Sequence, residues 1–126
     1  MTSPKTRTER LTFLSERSVN SMAERVSKSD FAEKVLNYPG LALVDFYSDT
    51  CVPCKRMVPV LTAVEGGYPE GLFVAKVNVA YESELVEEYK VTSAPTFLLF
   101  KNGSEVERFS GVRKKEELEE IINAHI

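Results

Sequence analysis

Residues 41–55 read Leu-Ala-Leu-Val-Asp-Phe-Tyr-Ser-Asp-Thr-Cys-Val-Pro-Cys-Lys, a nearly continuous apolar run that leads to two closely spaced cysteines. The apolar part, residues 41–47, is typical of a β-strand that is covered on both faces. Residues 51–65 then have the pattern of a helix. The sequence therefore places Cys51 and Cys54 where a buried strand gives way to a helix N-terminus.

The flanking sequence predicts further strands and helices around this unit. Upstream, a short strand near residues 24–27 precedes a helix that we expect Ser29 or Asp30 to cap. Downstream, the Asn102-Gly103 pair is a strong signal for a β-hairpin. The predicted downstream elements are a strand at 72–79, a helix at 82–89, strands at 96–100 and 105–109, and a helix at 113–125. This order implies an α/β fold in which a mixed sheet carries helices on both faces.

Length and charge limit the class of protein. A chain of 126 residues suits one domain. We expect residues 1–21 to be a mobile N-terminal extension, or a loosely docked extra helix, before a folded domain at 22–126. Residues 1–28 carry six Lys or Arg against three Asp or Glu, whereas the rest carries ten against sixteen. An acidic body argues against nucleic acid as a partner, because phosphate binding needs a basic surface.

Hydropathy and cysteine usage suggest a cellular location. No apolar run approaches the length that crosses a bilayer, so we expect no membrane partner. The first 30 residues contain no apolar core of a secretory signal, which predicts a cytoplasmic protein. In a reducing compartment, two close cysteines are more typical of catalysis or metal binding than of a structural disulfide.

The cysteine spacing favours redox chemistry. The amides and dipole of a helix N-terminus favour the thiolate of Cys51, which is the form that attacks disulfides. Cys54 lies one helical turn further on, within reach to resolve a mixed disulfide. Pro53 holds the turn between them and donates no competing hydrogen bond.

Two other interpretations of the cysteine pair stay open. The thiols could be buried and inert. A closed zinc site needs two further ligands, and the single histidine of the chain is His125, near the C-terminus. A zinc site within one chain is therefore disfavoured, although two chains could share one.

Asp45 is unusual because it interrupts the apolar strand. A buried carboxylate costs several kcal/mol unless it is paired or protonated. Desolvation should raise the pKa of this carboxyl group toward neutrality.

Several motifs together resemble those of the thioredoxin family. They are residues 44–55, Lys76-Val77-Asn78-Val79, Ala94-Pro95-Thr96 and Phe100-Lys101-Asn102-Gly103. The resemblance runs from about Met22 to the C-terminus. It implies the thioredoxin fold, a central mixed five-stranded sheet flanked by four α-helices, and electron transfer from a thioredoxin reductase to the disulfides of client proteins. We expect a monomer without metal, whose redox group is the Cys51–Cys54 disulfide itself.

The resemblance also assigns a proton-transfer role. The family aspartate that matches Asp45 lies beneath the cysteine pair and accepts the proton of the resolving thiol, with the lysine that matches Lys76 nearby. The alternative for Asp45 and Lys76 is a satisfied structural ion pair, since such pairs also perturb pKa values.

A client-binding surface is implied as well. The resemblance indicates a cis Ala94–Pro95 peptide that faces the cysteines, with the backbone of Ser93 and Ala94 offered to an extended client chain. Base rates alone would favour a trans peptide. Gly111 matches a glycine that lets a client approach closely, although by itself it indicates only a turn.

The chain departs from the family pattern at three positions. Thr50 replaces the usual Trp before the first cysteine, Val52 replaces the usual Gly between the cysteines, and Ala80 replaces the usual Asp after the second strand. Thr50 and Val52 flank the nucleophile, so we expect them to alter reductase docking and redox poise rather than the thiol–disulfide chemistry.

The leading functional prediction is therefore an oxidoreductase that reduces protein disulfides through Cys51. A second is a dedicated reductant of one partner, or an isomerase-like variant. A third, from another class, is a redox-inert or partner-dedicated module that holds peptides on the Pro95 face.

Overall fold

Five strands form one mixed sheet in the computed structural model, which describes residues 24–68 and 71–126. The strands are β1 (Glu24–Arg25), β2 (Leu41–Tyr47), β3 (Leu72–Asn78), β4 (Thr96–Lys101) and β5 (Ser104–Ser110). Their order is β1-β3-β2-β4-β5, in which β1, β3 and β2 are parallel and β4 and β5 are antiparallel to their neighbours. The predicted mixed sheet is confirmed. The expected mobile extension, residues 1–21, lies outside the described residues.

In the described part of the chain, four helices flank the sheet. They are α1 (Lys28–Phe31), which continues as a π-helical turn (Ala32–Leu36), α2 (Val52–Gly67), α3 (Ser83–Glu88) and α4 (Lys115–Asn123). Helices α1 and α3 cover one face, where the buried cluster includes Phe31, Val44 and Leu85. Helices α2 and α4 cover the other face through Met57 and Leu118.

Two predicted helix starts are wrong. Ser27, rather than Ser29 or Asp30, caps α1, because the Asp30 carboxylate accepts a hydrogen bond from the Ser27 N–H at 2.7 Å. The last helix begins at Lys115 and not at Arg113. The Arg113 N–H instead donates to the sulfur of Met57, 3.4 Å away, which ties this loop to α2.

The predicted hairpin is confirmed. Asn102 and Gly103 have positive φ angles of 53° and 83°, which suits a two-residue turn between β4 and β5. Within the described residues, no helix is long and apolar enough to cross a membrane.

Strand register determines where the site forms. At its carboxyl end β2 pairs Tyr47 with Asn78 of β3 and Phe46 with Thr96, the first residue of β4. The loop after β2, which leads to Cys51, and the loop before β4 therefore meet at the same edge of the sheet.

Candidate active site

The two cysteines form a disulfide at the N-terminus of α2. Their Cα atoms are 5.2 Å apart, and Cys51 is the residue that caps the helix. The Cys51 sulfur accepts a hydrogen bond from the Cys54 N–H at 3.1 Å. Pro53 lies in the first helical turn, where no N–H is needed. In the reduced protein, an N–H placed in this way favours the thiolate of Cys51.

Exposure differs between the two sulfur-bearing residues. Cys51 is half-buried, whereas Cys54 is only 4% exposed. An incoming disulfide can therefore reach Cys51, whereas Cys54 is too buried for direct attack on it. This asymmetry is what an attacking thiol and a resolving thiol require.

The loop before β4 lies against the disulfide. The Cys51 sulfur is 3.5 Å from the carbonyl oxygen of Ala94, and the Ala94–Pro95 peptide is cis. Gly111, with φ of 85°, follows the end of β5 and donates its N–H to the Pro95 carbonyl at 3.0 Å. The structure thus brings together the disulfide, the proline loop and Gly111, as the resemblance implied.

The remaining predicted binding residues surround this group at the surface. Ser93 and Thr50 are exposed, and Val52 is 60% exposed. The Thr50 N–H donates to the Ser48 hydroxyl oxygen at 3.2 Å, which holds the loop before Cys51. Pro95 itself is buried, so it shapes the loop more than it offers surface.

Asp45 lies in the core, on strand β2, which leads into the loop before Cys51. It is 1% exposed, and its Oδ1 atom has no hydrogen-bond partner. Burial raises the pKa of this carboxyl group to about 7, and the nearby positive charge of Lys76 opposes the rise. The carboxyl group can therefore exchange a proton near neutral pH.

Lys76 is the register partner of Asp45 on the adjacent strand. The two side chains nevertheless form no ion pair within 4.0 Å, and the Lys76 ammonium lies over the ring of Tyr47, 4.5 Å from its centroid. The closed Asp45–Lys76 ion pair, which was the structural alternative, is therefore not present.

A small cavity lies beside Lys76 and Tyr47, between α2 and the carboxyl ends of β2 and β3. Its volume is about 150 Å³. Cys54 and Lys76 both contribute to its wall. Water in such a cavity would connect the resolving cysteine to solvent.

Sequence reasoning missed Asn78 and Asp49. Asn78 is buried, donates to the Asp49 carboxylate at 3.3 Å, and accepts from the Ala80 N–H at 2.9 Å. It thereby ties the loop before Cys51 to the end of β3. The available signal was a polar residue at the end of an apolar strand. Tyr47 was also missed, because an aromatic residue in a strand ordinarily indicates only core packing.

Residues 24–68 and 71–126 contain no group of three or more His, Cys, Asp or Glu side chains placed to hold a metal ion.

The two bonded cysteines at a helix N-terminus, one of them open to an incoming disulfide and the other buried behind it, identify the protein as a thiol–disulfide oxidoreductase.

The comparisons with known proteins identify the family. Residues 22–124 match the family model of thioredoxin. The chain is 38% identical to a thioredoxin of Chlamydia trachomatis over 82% of its length and 99% of that protein's. It is 35% identical to a thioredoxin of Staphylococcus epidermidis, over 81% of this chain and 96% of that protein. It is 36% identical to a probable thioredoxin-2 of Caenorhabditis elegans, over 76% of this chain and 66% of that protein. The chain belongs to the thioredoxin family.

Proposed function

We propose that this thiol–disulfide oxidoreductase is a protein-disulfide reductase that receives electrons from a thioredoxin reductase and acts as a monomer. The observation that carries the proposal is the unequal exposure of Cys51 and Cys54 in a disulfide at the N-terminus of α2. The electrons reside in this cysteine pair, without a separate cofactor. A cytoplasmic location, where thiols are kept reduced, suits this direction of electron flow.

In the first step the Cys51 thiolate attacks one sulfur of a client disulfide. The client S–S bond breaks, a Cys51–client mixed disulfide forms, and the other client sulfur leaves as a thiolate and takes up a proton. The Cys54 N–H, which donates to the Cys51 sulfur, favours the thiolate in this step.

In the second step Cys54 attacks the Cys51 sulfur. Its thiol proton passes to the Asp45 carboxylate. The mixed disulfide breaks, the Cys51–Cys54 bond forms, and the second client sulfur leaves as a thiolate. Two electrons have then moved from the cysteine pair to the client.

Client binding falls to the surface around the disulfide. The exposed Ser93 and half-buried Ala94 present backbone beside the nucleophile. A side chain at Gly111 would project toward open space, but its φ of 85° suits glycine. An extended client chain can thus approach the sulfur between the proline loop and the end of β5.

The test is a trapping experiment with a disulfide-containing protein substrate. The Cys54→Ser variant should accumulate a mixed disulfide through Cys51, because the resolving thiol is absent. The matched Cys51→Ser variant should accumulate none, since Cys54 is buried. The reverse pattern would contradict the assignment. Absence of turnover by the wild type with dithiothreitol as the electron source would instead favour a redox-inert binding module.

A further inference from the structure

Four side chains form a row across the sheet. Register places Arg25 of β1 beside Lys76 of β3, Lys76 beside Asp45 of β2, and Asp45 beside Phe97 of β4. Asp45 therefore has a cation on one side and an aromatic ring on the other. In such an apolar setting, the position of the Lys76 ammonium determines how strongly its positive charge lowers the pKa of the Asp45 carboxyl group.

Tyr47, two residues after Asp45 on the same face of β2, sets that position. The Lys76 ammonium lies 4.5 Å from the centroid of the Tyr47 ring. Arg25 donates from Nε to the Tyr47 hydroxyl oxygen at 3.0 Å. Tyr47 is also only 8% exposed, so packing and this hydrogen bond together fix the position of its ring. The ammonium thus lies over the aromatic ring and forms no ion pair with the Asp45 carboxylate within 4.0 Å.

We propose that Tyr47 is a positioning residue, whose ring holds the Lys76 ammonium beside the cavity and so keeps Asp45 out of a closed ion pair. The inference rests on the proton-acceptor role proposed above. In a closed ion pair the Lys76 ammonium would contact the Asp45 carboxylate and lower its pKa. The carboxylate would then be a weaker proton acceptor. An ammonium held over the ring, outside ion-pair distance, stabilises the ionised carboxylate only in part and leaves it free to accept the proton of Cys54.

Among residues 24–68 and 71–126, the strand register and the neighbouring cavity show which other ionisable groups lie around Asp45 and Lys76. On β1, Arg25 lies beyond Lys76, and on β4 the register partner is the uncharged Phe97. On the side of α2, the cavity wall includes Cys54, whose proton Asp45 would accept. The wall also includes two charged side chains, Lys55 and Asp49. Of these groups, Lys76 is the one adjacent to Asp45 in the strand register.

The experiment follows the carboxyl carbon of Asp45 by ¹³C NMR as pH is varied in the oxidised protein. In Tyr47→Leu the ammonium loses the ring and can close on the carboxylate, so the pKa of Asp45 should fall by about one unit. The matched control Tyr47→Phe keeps the ring and should leave that pKa near the wild-type value.

A second background tests whether Tyr47 acts through Lys76. In Lys76→Met the pKa of Asp45 should rise, because the attraction of Lys76 is lost. Adding Tyr47→Leu to Lys76→Met should then cause no further fall. An unchanged pKa in Tyr47→Leu, or an equal fall in both backgrounds, would overturn the proposal.

The wild type provides a readout that needs no variant. A methylene group next to an ammonium held over an aromatic face shows an upfield ring-current shift, so the Lys76 ε protons should resonate upfield of an exposed lysine. Ordinary shifts there would also overturn the proposal. None of these measurements requires turnover, so they are separate from the trapping test of the reductase function.

Discussion

Asp45 shows how one residue can be poorly suited to stability and well suited to chemistry. Its carboxyl group is surrounded by core, and one oxygen lacks any hydrogen-bond partner. An apolar residue of similar size would pack there at lower cost. The same desolvation brings the pKa of the carboxyl group to about 7, where an acceptor of protons is most effective at neutral pH.

Replacing Asp45 by asparagine should slow the release of client from the mixed disulfide. In the wild type, this release should become faster as pH rises through about 7, because only the ionised carboxylate accepts a proton. In Asp45→Asn that rise should be absent. Rapid-mixing kinetics of the second step measure it, and formation of the mixed disulfide by Cys51 is the control that should not change. Equal turnover of both proteins over about pH 6 to 9 would show that Asp45 is only structural.

Thr50 and Val52 should weaken coupling to a conventional thioredoxin reductase. Thr50 lacks the large apolar surface of the usual Trp, and such aromatic side chains often anchor transient contacts. Val52 is exposed and β-branched, so it crowds one approach to Cys51. We expect a raised KM for this protein as a substrate of such a reductase, and recovery of much of the loss in a Thr50→Trp, Val52→Gly double variant.

Reductase-coupled reduction of a disulfide substrate measures the effect. Reduction of the same substrate by the chemically reduced protein is the control, because neither position alters the helix N-terminus. Equal coupling of wild type and double variant would refute the docking argument.

At the scale of elements, the loop before β2 depends on a glycine. A Cβ at Gly40 would lie 2.5 Å from the carbonyl oxygen of Gly71. That oxygen accepts a hydrogen bond from the Leu41 N–H at 2.8 Å, so it cannot move without disturbing the pairing of β2 with β3. Close backbone approach, rather than flexibility, requires glycine here.

Gly40→Ala should therefore destabilise the protein by about 1 to 3 kcal/mol. The matched control is Gly66→Ala in α2, where a Cβ meets nothing within 4 Å. Alanine in a helix is favoured over glycine, so this variant should be more stable by roughly 0.5 to 1 kcal/mol. Chemical denaturation compares both with the wild type, and shifts of the same sign would contradict the steric argument.

At the scale of the whole molecule, Asp45 should make stability depend on pH. In the unfolded chain the carboxyl group loses its proton near 3.8, whereas in the folded protein it does so near 7. Between these values the folded state binds the extra proton, so the free energy of unfolding falls as pH rises. The full loss, above about pH 7, is on the order of 4 kcal/mol.

Asp45→Asn should remove this dependence. It should match the wild type near pH 4 and be more stable by several kcal/mol near pH 8, as measured by denaturation at both values. Burial also raises the pKa of a second carboxyl group, that of Glu65, to about 7. Glu65 lies toward the other end of α2 from the disulfide, so Glu65→Gln is the control that separates its contribution from that of Asp45. A gain for Asp45→Asn that is constant with pH would refute the assignment of the titrating group.

Much of the fold follows from local sequence. The apolar run at 41–47 is typical of a covered strand, and Asn102-Gly103 can form the positive-φ turn that a hairpin needs. Cys51 precedes a helical pattern that accepts Pro53 in its first turn. Helix starts were less predictable, because the Asp30 carboxylate reaches back to Ser27 and the Arg113 N–H is taken by Met57. Both of these contacts compete with the simple capping pattern.

The sequence by itself determined the redox pair, its place at a helix N-terminus and the presence of a carboxyl group in an apolar strand. Only the tertiary structure decided what that carboxyl group faces. Strand register puts Lys76 beside Asp45, but the ring of Tyr47, held by Arg25 from another strand, takes the ammonium instead. The physical reason is that the interaction between charges depends on distance and burial, and both are set by elements that are far apart in the chain.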